Sequence, residues 1–267
     1  MKLKNVCNEF KYGKIIFPAG DSYIGTSLAL YGEYSEGEVQ LYKQFIRKGQ
    51  TVVEVGSNIG SLTIPIAQFV GEEGKVYAFE PQRLMFQILC GNMALNNLQN
   101  VYCYNKGAGD KNTTIKIVDK IYEEGANIGA FKLEEKPEGY EVDVVTLDSF
   151  NIPSVDFLKV DVEGMELQVL QGAEKLIEKF NPIIYLEIDN ETLETEKQWL
   201  KAKGYKLYRH TVPLFNPNNY FNVKRNAFIE SGKTFEGKVV SNSNPSSFNM
   251  IAIPSKRNIV MKNFEEL

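Results

Sequence analysis

The chain has 267 residues, 43% of them hydrophobic, and a formal net charge of −4 from 30 Lys and Arg against 34 Asp and Glu. That length suits one large α/β domain or a domain with an appended flap, and the apolar share supports a sizeable core. The charge balance excludes a basic nucleic-acid footprint, three cysteines and a single histidine exclude a recognisable zinc site, and no run approaches the ~18 apolar residues of a membrane span.

Cys7, Cys90 and Cys103 show no C-x-x-C spacing, and such sparse thiols suit a reducing compartment. The basic N-terminus carries no long apolar segment, so no signal peptide is expected and the expected location is cytoplasmic. Residues 14–18 read as a short strand stopped by Pro18. Ser35 followed by Glu38 predicts a capping box that opens a helix through Leu41, Phe45 and Ile46, with Gly49 ending it. Two roles stay open for this helix: a lid with Glu36 or Glu38 reaching inward, or a surface helix whose acidic first turn suits the dipole.

Thr51–Val55 carries four β-branched residues in five positions and reads as a buried strand. Gly56, Ser57, Asn58 and Gly60 follow, and Leu62, Ile66 and Phe69 then return at helical spacing. A strand, a Gly-rich turn and a helix start are the ingredients of a nucleotide site. Glycine admits close approach of backbone N–H groups, and the helix start favours a polar or anionic group. The pattern E-x-G-x-x-x-G lacks the third glycine of a dinucleotide fingerprint. The plain alternative is an ordinary tight turn.

Lys75–Phe79 reads as the second strand and ends in Glu80-Pro81. Glu80 lies twenty residues after Gly60, where a crossover returns an acid to ribose hydroxyls. Glu54 and Glu80 then end adjacent parallel strands at one sheet edge. Residues 82–98 read as a helix and 100–104 as the third strand. The turn after it should pass the adenine, with Asn105, Lys106 and Ala108 all open as contacts. Residues 114–118 and 142–147 have strand character and frame an inserted hairpin, with a mobile loop near 120–139.

The stretch from Val155 to Glu166 carries Lys159, Asp161 and Glu163, which alternation would point one way. Three ionisable groups on one face of a buried strand are costly unless paired or solvated in a cleft. A structural ion pair and a catalytic group both remain open. A helix on Leu167, Leu170, Ala173, Ile177 and Phe180 should close at Asn181-Pro182. Residues 183–189 read as the fifth strand, with Glu187 and Asp189 at its carboxyl end. A helix through Leu193, Trp199 and Leu200 ends at Gly204, with Trp199 read as core. Residues 205–209 form a strand and 249–254 the last one. Between them, 210–222 is rich in rings and amides. Phe215, Tyr220 and Phe221 can cover sugar faces, and Asn216, Asn218 and Asn219 can match hydroxyls, or these are simply turn residues.

Tyr31-Gly32-Glu33, the Glu54 to Gly60 turn, Glu80-Pro81, the run from Phe157 to Gly164 with Leu170 and Gly172-Ala173, and Tyr185-Leu186-Glu187 together resemble the FkbM family of class I S-adenosylmethionine (SAM) methyltransferases. The resemblance covers about residues 31 to 190, and Lys-x-Asp-x-Glu-Gly is its most specific part. Glu54 and Ser57 stand where many relatives carry Asp and Ala. The resemblance implies an α/β, Rossmann-like class I methyltransferase sandwich: a seven-stranded, mostly parallel sheet with one antiparallel strand and helices on both faces. Residues 1–48 would cap it, 49–210 form the SAM-binding core, and 211–267 supply a substrate loop and last strand within one compact domain.

It also implies methyl transfer to oxygen, on acceptors that include sugar and natural-product hydroxyls. Expected cofactor contacts are Glu54, Gly56, Ser57, Asn58, Gly60, Glu80, Asn105, Ala108 and Asp161. Candidates for aligning or deprotonating the acceptor are Asp161, Glu163, Glu187, Lys159 and His210. A divalent cation held by Asp161, Glu163 or Glu187, magnesium or calcium, would instead acidify the hydroxyl. The expected partner is a hydroxyl-bearing small molecule or glycan, with no nucleic acid. The rival readings are a nicotinamide-dependent oxidoreductase and a non-catalytic glycan-binding module on the same fold.

Overall fold

The computed structural model describes residues 4–118, 125–133, 135–188, 192–230, 244 and 246–267. The chain opens with an antiparallel hairpin, β1 (Lys4–Phe10) and β2 (Gly13–Ala19). The expected strand therefore has a partner and continues through Pro18 instead of stopping there. The N–H groups of Lys14 and Ile16 turn away from β1 to the Asn96 and Asn92 side chains. By alternation Pro18 sits on that same outer side, where the ladder needs no donor.

Helices α1 (Ile24–Tyr31) and α2 (Glu36–Phe45) follow. The predicted capping box does not form. Ser35 adopts φ 46°, and its hydroxyl donates to Glu38 Oε1 at 2.7 Å instead of accepting a backbone N–H. The helix ends at Phe45, before Gly49, because Ile46 is already extended. Glu36 and Glu38 both turn inward and are buried. Glu36 accepts from the Tyr12 hydroxyl and pairs with Lys11 at 2.8 Å, while Glu38 accepts from the Tyr42 hydroxyl.

β3 (Thr51–Val55), α3 (Thr63–Val70), β4 (Lys75–Phe79), α4 (Arg83–Leu95) and β5 (Val101–Tyr104) then form a parallel β-α-β-α-β run. β6 (Gly107–Ala108), β7 (Thr113–Ile117) and β8 (Tyr140–Val145) make a separate three-stranded sheet, which is the expected inserted hairpin with one short extra strand. The loop expected near 120–139 lies partly outside the described residues.

After β9 (Phe157–Val160), the single helix expected is two, α5 (Glu166–Gln171) and α6 (Glu174–Phe180). At Gly172, between them, an added Cβ would lie 1.9 Å from the Gly109 carbonyl oxygen. Next come β10 (Ile183–Glu187), α7 (Leu193–Ala202), β11 (Tyr205–Pro213), α8 (Ala227–Glu230), β12 (Ser246–Pro254) and β13 (Glu265–Glu266). Asp189 lies outside the described residues.

The main sheet has the order β13-β11-β12-β10-β9-β3-β4-β5. β12 runs antiparallel to both neighbours, as the reversed strand expected, and the short edge strand β13 is reversed as well. The sheet has eight strands where seven were expected. The eighth, β13, is a two-residue antiparallel edge on β11, with Arg209 Nε and the exposed Glu265 carboxylate 3.0 Å apart. Alternation sends Val53, Val55, Leu158 and Leu186 to one core with α5 to α7, and Val52, Phe157 and Tyr185 to another with α2 and α3. Trp199 packs against the first of these cores. Registers Val55↔Phe79, Val55↔Val160 and Leu186↔Val160 set the carboxyl ends of β3, β4, β9 and β10 along one edge. The site is built there.

Candidate active site

A cavity of about 520 Å³ opens at this edge. Glu54 enters it from the end of β3, only 1% exposed. Its Oε2 accepts from Thr63 Oγ1 at 2.5 Å, and its Oε1 has no hydrogen-bond partner among the described residues. Burial pushes the Glu54 carboxyl up, opposed by Lys159 and the Thr63 hydroxyl. A buried, half-satisfied carboxylate facing a cavity is a ready acceptor for a ligand's donor.

Gly56 has φ +82°, and a Cβ there would lie 1.8 Å from the Asp161 carbonyl oxygen. Nothing but glycine fits between the two strand ends. The Gly56 and Ser57 N–H groups both donate to Phe79 O at 3.0 Å, which pins the turn over β4. Ser57, Asn58 and Ala108 line the cavity, as expected. Glu80 is buried, and its two oxygens accept the Asn58 N–H at 2.9 Å and the Gln82 N–H at 2.8 Å. Burial still carries it up to about 7 against those donors.

Two expected cofactor contacts fall elsewhere. Gly60 does not line the cavity; an added Cβ would meet Leu89 and Met93 at 2.8 and 2.9 Å, so this glycine seats α4 instead. Asn105 is also absent from the lining. Its amide donates to the carbonyls of Glu80 and Pro81 at 2.9 Å and so fastens the exit of β4.

Beside Glu54, at the ends of the neighbouring strands β9 and β10, the lining carries Lys159, Asp161, Glu163 and Glu187. Lys159 is 2% exposed and donates to Asp161 Oδ2 at 3.0 Å, with Glu54 Oε1 at 3.9 Å. Burial works against its charge, but Asp161, Glu54 and Glu38 raise its pKa. Burial likewise pushes Asp161 up; Lys159 and a hydrogen bond from Glu187 outweigh it and hold Asp161 below the usual carboxylate range. Glu187 is pushed far up, by burial and then by Asp161 and Glu163. Of the two, Asp161 is thus the carboxyl favoured in its charged form and Glu187 the one pushed toward its protonated form.

Carboxylate oxygens of Asp161, Glu163 and Glu187 lie within 4.8 Å of one another, a spacing that oxygen-preferring cations accept. Strand alternation is not what gathers them. β9 stops at Val160, and Glu163 (φ 56°) and Gly164 (φ 97°) form a turn. Buried Glu166 holds that turn by accepting from the N–H groups of Val162 and Gly164 at 3.0 Å.

His210 does not line the cavity. β11 runs on to Pro213, which places His210 within the strand opposite Asn249. Its Nδ1 meets the Tyr185 hydroxyl at 2.8 Å, and burial draws its pKa down to about 4. From the segment 210–222, only Leu214 reaches the cavity lining. Two of the amides expected to grip an acceptor, Asn216 and Asn219, are used in holding the loop. Asn216 Nδ2 donates to Glu33 at 2.7 Å, and buried Asn219 bonds Asn216 O, Val223 O and Val223 N–H. The Asn218 N–H closes on Asn216 Oδ1, and Phe221 lies over Gly32.

Sequence reasoning passed over Tyr34, which lines the cavity. Burial and the carboxylates of Glu38, Asp161 and Glu187 push its phenol well up, so it remains a donor. Its one sequence signal is its place directly after Tyr31-Gly32-Glu33.

A mostly parallel sheet with β12 reversed between β10 and β11, a Gly56 turn after β3 and an acid after β4 define a class I methyltransferase. An SAM-dependent O-methyltransferase from Thermotoga maritima shares the fold, with a TM-score of 0.51 at 12% identity over 96% of this chain and 79% of that one. The family model for the methyltransferase FkbM domain matches residues 54–207, and the chain belongs to that family. Methyltransferase 1 of Beauveria bassiana is 29% identical over 180 residues, 58% of this chain and 71% of its own length. Methyltransferase sdnD of Sordaria araneosa is 26% identical over 157 residues, 46% of this chain and 60% of its own length. The methyl donor of this enzyme is SAM. The residues fit it: a half-satisfied buried carboxylate suits an ammonium, the Gly56 turn admits close approach, and Glu80 offers acceptors to ribose hydroxyls. Among the described residues no helix is long and apolar enough to cross a membrane.

Proposed function

We propose that this enzyme methylates a hydroxyl oxygen of a sugar-like, polyhydroxylated small molecule. The observation that carries the reading is the Asp161–Glu187 pair beside Lys159, lining the same cavity as Glu54 and Glu80. Glu54, Gly56, Ser57, Asn58 and Glu80 would hold SAM, which supplies a methyl group already activated on a sulfonium. The protein's own task is then to align an oxygen and receive its proton.

Asp161 suits that task. Lys159 keeps it ionised and fixes its orientation, and the hydrogen bond from Glu187 steadies it as well. An acceptor hydroxyl would donate to Asp161 and pass its proton there as its oxygen takes the methyl group, the carbon–sulfur bond breaking to leave the neutral thioether S-adenosylhomocysteine. A hydroxyl that is being alkylated turns strongly acidic, so a carboxylate of low basicity suffices. Glu163 and the Tyr34 phenol add an acceptor and a donor for neighbouring hydroxyls. This density of acceptors favours a polyol over an apolar phenol. It also disfavours nucleic acid, whose phosphates the carboxylates would repel. A second reading rests on the 4.8 Å cluster: a divalent cation there would acidify the acceptor hydroxyl.

The test is Asp161→Asn. SAM affinity should stay near wild type while turnover on a polyol acceptor falls ~10²-fold or more, and the melting temperature should drop because buried Lys159 loses one of its carboxylate partners. A loss of melting temperature with turnover preserved would show a structural ion pair instead. Exhaustive EDTA treatment addresses the cation separately, and full activity afterwards would remove it.

A further inference from the structure

Asp21 is wholly buried, next to α1, and lies outside the cavity lining. Its two oxygens face different ways. Oδ2 accepts the N–H groups of Gly25 at 2.8 Å and Tyr23 at 3.1 Å, at the start of α1. Oδ1 accepts the Ile128 N–H at 2.8 Å, more than a hundred residues on. The Ile128 carbonyl in turn accepts from Asn58 Nδ2 at 3.1 Å, and the Asn58 N–H is the one that Glu80 holds. One residue is thus gripped from both sides, by Asp21 and by the cofactor turn. Its side chain is fully buried in a cluster with Ile24, Leu28 and Ile59.

What this grip controls follows from its neighbours. Gly129, Ala130 and Phe131, directly after Ile128, line the cavity. Leu133 extends the wall to Gly107, where an added Cβ would meet it at 3.0 Å. The Ser22 N–H donates to Ala126 O at 2.8 Å on the other flank. The segment therefore bridges from α1 to the Gly107 side of the cavity, with Ile128 as its anchor.

We propose that Asp21 is a positioning residue that holds segment 126–131 as a wall of the SAM pocket and thereby sets how long SAM stays bound. The proposal rests on the reading of this cavity as the SAM site. Asp21 touches neither cofactor nor acceptor; it acts through the Ile128 backbone. In Asp21→Asn one oxygen becomes an NH₂ group, so the residue can no longer accept N–H donors on both sides. The grip on α1 or the grip on Ile128 is lost.

The experiment measures SAM binding by calorimetry and SAM release by stopped flow on the full chain. Wild-type protein that binds no SAM would sink the cavity assignment itself. If wild type binds, Asp21→Asn should release SAM about tenfold faster or more, the worth of one charge-assisted hydrogen bond. Leu200→Ala, in a separate core cluster, serves as the control for general destabilisation. It should lower the melting temperature with SAM release unchanged. Unchanged release in Asp21→Asn, or equal acceleration in both variants, would overturn the proposal. Should Asp21→Asn fail to fold, amide exchange on the wild type decides. SAM should slow exchange at Ile128 more than at Val6 in the β1–β2 hairpin, and equal slowing would overturn it.

Discussion

Replacing Glu80 with Gln should abolish a pH dependence of SAM binding that the wild-type structure builds in. Burial holds the Glu80 carboxyl at about 7, against an ordinary 4.5. With SAM held as proposed, ribose hydroxyls would donate to the ionised form, so the bound acid would return toward its ordinary range and binding would expel a proton below about pH 7. The sign for stability follows. Because the folded pKa is raised, protonation favours the ligand-free fold: this contribution is fully present below the ordinary 4.5 and is lost as pH rises through about 7. The gap corresponds to ~3 kcal/mol, which SAM's donors offset on binding. With a midpoint near 7, wild-type affinity should fall about 30-fold between roughly pH 8 and pH 5.5. Glu80→Gln should bind more weakly at about pH 8, by ~1.5–3 kcal/mol, and show a nearly flat profile. Calorimetry at constant ionic strength reads both, and the variant's curve subtracts the titration of the ligand itself. A flat wild-type profile, or the same slope in the variant, would refute the reasoning.

Other outcomes follow from the same geometry. Gly56→Val should nearly abolish SAM binding in calorimetry, because its Cβ would lie 1.8 Å from the Asp161 carbonyl oxygen. Lys159→Met removes the one buried cation beside Glu54, Glu38 and Asp161 among the described residues, and should cost ~3–5 kcal/mol in urea unfolding at neutral pH. His210→Gln should leave turnover unaltered, because the imidazole is neutral and bonded to Tyr185 outside the cavity.

The parts of the site that were legible in the sequence are those fixed by short stretches of backbone. The β-branched run of β3, Gly56 and the return of Glu80 all follow from local geometry and one crossover. Glu187 was legible because β10 reads as a neighbouring strand with an acid at the same end. Asp161 and Glu163 were found for a partly wrong reason, since a turn held by Glu166 gathers them and not the pleat. Features that depend on distant packing were not legible. Tyr34 and Asp21 owe their places to how α1 and α2 sit on the sheet. The amides of the 216–219 loop look like ligand groups in one dimension, yet Glu33 and Val223 use most of them. Likewise the break at Gly172 depends on the Gly109 carbonyl, which no helical periodicity reveals.

Incubating the wild-type enzyme and Asp161→Asn with SAM and a panel of sugars, other polyols, phenols, amines and RNA, with products identified by mass spectrometry and NMR, tests the central claim most directly. The account predicts a methyl ether on a polyhydroxylated acceptor with wild type, and product formation reduced ~10²-fold or more in the variant. A methylated amine, phenol or RNA as the product, or undiminished methyl-ether formation by Asp161→Asn, would contradict it.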